Sequence, residues 1–148
     1  MIKKSLLDIL IADLELKIQV FQTNIKSIID SKNNETKSSA GDKFETGRAM
    51  MQIEQENKEI QLSKAINTFS FLKQLDINHN SESVRLGSLV YCDTGVFFIS
   101  AALGKVYFDK KPYFALSLDA PLGRLLFGCK VNDKVTLNHK VTTILEID

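Results

Sequence analysis

Residues 7–28 read LDILIADLELKIQVFQTNIKSI, and within them Leu7, Ile11, Leu14, Ile18, Phe21, Ile25 and Ile28 recur at intervals of 4, 3, 4, 3, 4 and 3. A mean spacing of 3.5 keeps one apolar stripe turned toward a partner helix, so the stretch predicts a long helix in a coiled coil. The stripe stops at Asp30, and residues 31–41 (SKNNETKSSAG) have the small, Asn-containing chemistry of a loop. A second helical pattern runs from about Asp42 to Leu75. Two helices, over 2–30 and 42–75, joined by one loop predict an antiparallel hairpin. At 1.5 Å per residue, about 28 residues make an arm ~42 Å long.

The second helix is less regular. Met50, Ile53, Asn57 and Ile60 form one stripe, while Leu62, Ala65, Ile66, Phe69 and Leu72 lie nearly opposite. A helix apolar on two faces needs cover on both. Met50 and Met51 read as seam residues rather than ligands.

Outward from the hairpin, the polar stretch Asp76–Ser83 (DINHNSES) marks a linker, giving a hairpin over 1–75, a linker over 76–84 and a second domain over 85–148. The second domain is strand-like at 86–92, 95–103, 105–108, 113–118, 134–137 and 140–147, with turn residues between. Residues 120–128 (APLGRLLFG) break this pattern. Pro121 suits the first turn of a short helix and Gly128 its C-terminal end. The expected fold is therefore α+β: an antiparallel helical hairpin, then a small antiparallel β domain with one short helix.

Composition narrows the function. The 148 residues carry a net charge of +1, with 44% hydrophobic and 25% charged residues, which argues against a strongly basic nucleic-acid binder. No apolar run approaches the ~20 residues that span a bilayer. Asp8, Asp13 and Glu15 interrupt the N-terminal apolar stretch, so export is not expected. Cys92 and Cys129 form no CxxC pair, which excludes a zinc ribbon and fits a reducing cytoplasm. Both read as core thiols. His79, in the linker, and His139, in a turn, read as solvent-facing.

The loop–helix junction carries the candidate chemistry. Asp42 and Glu45 are three residues apart, so on a helix both carboxylates share a face. Such a pair can cap the helix N-terminus, and it can also offer oxygen ligands to a hard divalent cation. Lys32, Lys37, Lys43 and Arg48 surround the same end with positive charge.

Gly41-Asp42-Lys43-Phe44-Glu45 at the tip of a helical hairpin, followed by a small β domain, resembles the Gre family of bacterial transcript cleavage factors. The run from Ala120 to Gly128, then Val131, Asp133 and Val135, resembles that family's Ser-Pro…Leu-x-Gly…Gly-Asp-x-Val segment, and Val141…Ile144-Leu145-Glu146-Ile147 its last strand. The family follows the tip Glu with Asn-Ala-Glu-Tyr, where this chain has Thr46-Gly47-Arg48-Ala49, and Asn132 replaces a Gly. The resemblance implies an FKBP-like second domain that docks on RNA polymerase. It implies a hairpin entering the secondary channel toward the nascent RNA 3′ end, in a DNA-bearing transcription complex. Asp42 and Glu45 would be the catalytic, metal-holding carboxylates, sharing a weakly bound Mg²⁺ with the polymerase only in the complex. Lys43, Arg48, Pro121 and Arg124 would be partner contacts. The chain would be an accessory factor rather than an enzyme, cytoplasmic, and a monomer or weak dimer. Two alternatives stand beside this reading: a channel regulator that does not promote cleavage, and a coiled-coil interaction module unrelated to transcription.

Overall fold

The computed structural model describes residues 1–35 and 41–148, with the side chains of Glu35 and Gly41–Phe44 excluded. Two long helices, α1 (Ile2–Glu35) and α2 (Gly41–Lys73), precede strands β1 (Leu89–Cys92), β2 (Gly95–Ile99), β3 (Gly104–Phe108) and β4 (Lys111–Leu116). A short helix, α3 (Pro121–Leu126), is followed by β5 (Lys134–Leu137) and β6 (Lys140–Ile147). The chain divides into two compact units, Ala12–Ser70 and the combination of Met1–Ile11 with Phe71–Asp148.

In the first unit the helices run antiparallel. Phe21 lies beneath the Lys58 ammonium, 5.8 Å from the ring centroid, while further along α1 Lys32 meets Gln55 on the preceding turns of α2. The α1 stripe faces inward as its spacing predicts: Leu14 and Ile28 are buried, and Ile18, Phe21 and Ile25 half-buried. α1 continues through Ser31–Glu35, where the sequence suggested loop. Extending an existing helix costs little once its nucleus has formed. Residues 36–40 of the expected loop lie outside the described residues, and Gly41 already belongs to α2.

The inward face of α2 differs from expectation. Met50, Ile53 and Ile60 are exposed, at 66%, 59% and 54%. The less exposed positions of α2 in this unit include Arg48, Met51, Gln55, Lys58, Leu62, Ala65 and Phe69. These too follow a 3,4 alternation, but three of the first four, Arg48, Gln55 and Lys58, are polar. Long side chains such as Gln, Lys and Arg lay an apolar stem along the seam and carry the polar end to its edge.

The second unit is built on a six-stranded sheet ordered β3-β4-β2-β1-β6-β5. One face carries Val90, Cys92, Phe97, Ile99, Val135 and Ile144, and Leu126 of α3 packs on it. The opposite face carries Leu89, Phe98, Tyr113 and Ala115, which are also buried. The sheet is mixed rather than antiparallel throughout, because β2 and β4 pair in parallel with Phe97 opposite Phe114. After β2 the chain forms β3 one position further out, then turns at Asp109-Lys110 and returns through β4 into the gap. Residues 100–110 thus supply the long connection that a parallel pair needs. Asp109-Lys110 and Asn138-His139 all have positive φ, the geometry of two-residue hairpin turns that match strand twist.

α3 depends on one glycine. A Cβ on Gly123 would lie 2.1 Å from the Ser117 carbonyl oxygen, so only glycine lets the helix sit against that segment. His79 is half-buried rather than solvent-facing: its Nε2 lies 3.0 Å from the Leu86 carbonyl oxygen, which can only accept, so Nε2 carries the proton. Its Nδ1 is buried with no partner among the described residues. His139 is exposed in its turn. The start of α1 belongs to this unit, and Lys3, 1% exposed, reaches Asp148 at the end of β6 at 3.8 Å.

Candidate functional site

The residues chosen from the sequence fall in two places, the end of the hairpin and the start of α3. At the hairpin, α2 begins at Gly41, so Asp42 and Glu45 occupy its first turns. The Asp42 and Lys43 side chains lie outside the described residues, so the Asp42–Glu45 carboxylate pairing lies outside them as well. Glu45 and Thr46 are exposed, and Gly47 is half-buried. An exposed carboxylate near a helix N-terminus complements the partial positive charge there and remains open to an external ligand.

Arg48 has a defined place inside the hairpin. It is half-buried and donates from Nη1 to the Lys32 carbonyl oxygen at 3.1 Å. That carbonyl belongs to the last turns of α1, where carbonyls lack partners within the helix. Lys32 in turn donates from Nζ to the side-chain carbonyls of Gln52 at 2.5 Å and Gln55 at 2.6 Å. Gln52 and Gln55 hand their own amide protons to Glu56 and Glu59, at 3.0 and 2.9 Å. The result is a chain of polar contacts: a cation, two amides and two carboxylates. It holds the distal hairpin in register alongside the apolar contacts of Ile25, Ile28 and Met51. The sequence marks Lys32 by its charge near the tip and Arg48 both by that charge and as an expected partner contact; the structure places Arg48 against the Lys32 carbonyl within the hairpin. Gln52, Gln55 and Lys58 carry no motif that marks them in the sequence. The 3,4 spacing through Arg48, Met51, Gln55 and Lys58 was the available signal, and it is hidden when only apolar residues are counted.

At α3, Pro121 occupies the first helical position and is exposed, as is Arg124 in the last turn. Pro is suited to this position because the first N–H of a helix lacks an intrahelical partner in any case. The Arg124 N–H bonds back to the Ala120 carbonyl at 2.9 Å, leaving its side chain exposed. Leu125 in the helix, and Phe127 and Val131 beyond it, are 40%, 58% and 44% exposed.

The thiols are poor nucleophiles. Burial, with a smaller contribution from the Asp93 charge, pushes the Cys92 thiol up to about 11. Burial and then Asp133 raise the Cys129 thiol, whose Sγ donates to the Leu125 carbonyl at 3.2 Å. Among the described residues no group of three or more His, Cys, Asp or Glu side chains is arranged to hold a metal ion. No described helix is long and apolar enough to cross a membrane.

No protein-family model matches the sequence, and no curated protein matches it with significance. Among solved structures the chain is similar to one described as "Structure of the transcription factor Gfh1", at 16% identity and a TM-score of 0.36, covering 93% of this chain and 92% of that one. The similarity is distant and carries no residue assignments.

Proposed function

We propose that this chain is a Gre-type factor of RNA polymerase: the hairpin enters the secondary channel, and Asp42 and Glu45 promote cleavage of backtracked RNA. One observation carries the reading. In an antiparallel hairpin of two helices, each over 30 residues, the second helix opens on Gly41-Asp42-Lys43-Phe44-Glu45, and Glu45 is exposed there. The donor chemistry suits Mg²⁺, which takes one or two protein carboxylates and keeps several waters. Two carboxylates alone would be too few donors for tight binding in the free protein, so the ion is expected only in the complex. Asp42 and Glu45 would hold the ion together with polymerase ligands, and the ion would activate water and stabilise charge at the scissile phosphate. The protein's own part is positional. The Lys32–Gln52–Gln55 contacts and the Arg48 brace stiffen the arm that presents the carboxylates.

In this reading the β-rich unit docks on the polymerase through the exposed Pro121 and Arg124, Lys43 faces the complex, and the protein works in the cytoplasm; Arg48, expected from the sequence as a partner contact, is instead engaged within the hairpin on the Lys32 carbonyl. The test adds the full chain to stalled, backtracked elongation complexes and follows RNA length. Wild type should shorten the RNA in a Mg²⁺-dependent way. Asp42→Asn and Glu45→Gln should abolish shortening while polymerase binding persists. Binding without shortening by wild type would instead support the non-cleaving channel regulator, and no binding at all would support an interaction module outside transcription.

A further inference from the structure

We propose that the β-rich unit contains an acceptor cleft for one aromatic side chain of a partner polypeptide, with a carboxylate next to that side chain. The inference holds whichever partner the hairpin meets. The cleft opens between the β1–β2 turn, β6 and α3. Phe97 and Phe114 form its base, their rings tilted by 35° with centroids 5.8 Å apart. Leu122 of α3 and Leu137 at the end of β5 close its apolar sides. Phe97 is only 8% exposed, so the base belongs to the packed core and is fixed before any ligand arrives. Gly95 keeps it open: a Cβ there would already touch both rings, at 3.5 and 3.6 Å, and a longer side chain would cover them.

Size and charge select the occupant. The cavity is about 230 Å³. That is below the ~300–1,000 Å³ of sites that enclose drug-sized ligands or cofactors. It is suited to one large side chain delivered by a chain that remains outside. Aromatic anchors in such preformed pockets carry much of the affinity of protein interfaces. The rim is polar on one side, where Thr94 Oγ1 and Thr142 Oγ1 lie 3.1 Å apart. Lys140 is the one charged residue among those lining the cleft, and among the described residues no carboxylate pairs with it. A ring entering the base therefore brings its neighbouring residue to an unpaired ammonium, and an acidic neighbour complements it.

The full-length protein, ¹⁵N-labelled, would be titrated with three blocked dipeptides: acetyl-Phe-Asp-amide, acetyl-Phe-Asn-amide and acetyl-Ala-Asp-amide. Saturable amide shifts should centre on Thr94–Phe97, Leu122 and Leu137–Thr142. The Phe-Asp peptide should bind roughly two- to five-fold tighter than Phe-Asn, the value of one exposed ion pair. Ala-Asp should not saturate. In Lys140→Gln, an exposed substitution, the advantage of Asp over Asn should vanish while the Phe peptides still bind. The proposal is overturned if no peptide gives saturable shifts at the cleft, if Phe-Asp and Phe-Asn bind wild type equally, or if the advantage survives in Lys140→Gln. Phenylacetate binding as tightly as Phe-Asp would also overturn it, in favour of a small-molecule site.

Discussion

Cys92 shows how one residue links packing to pH. Its thiol is raised from 9.0 to about 11 because the thiolate would be buried among apolar groups beside Asp93. A group whose pKa is raised by folding supports stability fully below its unfolded pKa and loses that support as pH rises toward the folded value. Stability should therefore fall between about pH 9 and pH 11, by on the order of 2 kcal/mol. Urea unfolding across that range should show the fall in wild type and a flatter profile in Cys92→Ala, whose baseline is lower because of the cavity. The apolar company of Cys92 was legible in the sequence. The position of His79 was not, since its bond to the Leu86 carbonyl depends on how Asp76–Leu86 folds back on itself. Nor was the cleft at Phe97, Phe114 and Leu122, which is assembled from three separate elements.

Among the elements, the two long helices obey the same spacing with different chemistry. Leu14 is 3% exposed in the α1 stripe, and Leu14→Ala should cost about 2–5 kcal/mol in thermal or chemical unfolding. Ile60 is 54% exposed on α2, and Ile60→Gln should change stability by no more than about 0.5 kcal/mol. Equal costs at the two positions would return Met50, Ile53 and Ile60 to the seam. α1 was readable because its stripe is apolar without interruption. The inward face of α2 is not legible from apolar spacing, because Arg48, Gln55 and Lys58 occupy inward positions by virtue of their long stems and specific partners, while Met50, Ile53 and Ile60 stand outside. The strands and α3 were legible from composition and turns. The parallel β2–β4 pair was not, because strand order is decided by pairing between distant segments. The tip acids were legible as a spacing, with Glu45 now seen exposed and the Asp42 side chain outside the described residues.

At the scale of the whole molecule, the first eleven residues belong with the sheet. Lys3 is buried in that unit and its charge is answered by Asp148, itself about half exposed. Asp148→Asn would leave the ammonium without its counter-charge and should cost about 1–3 kcal/mol, less than the ~3–5 kcal/mol of a fully enclosed pair. Lys3→Met keeps length and removes the charge, so it should cost less than Asp148→Asn when both are measured by denaturant unfolding. The composition of this unit also sets an order of events in folding. Its two segments are separated in sequence by roughly 60 residues. Closing a flexible loop of that length costs about 4 kcal/mol of chain entropy. A zipped hairpin removes most of that cost, because local helix contacts draw Ile11 toward Phe71 before any sheet contact forms. The arm thus serves the β-rich unit as a closure device during folding. Stopped-flow refolding should show Leu14→Ala slowing formation of the sheet, although Leu14 is no part of it.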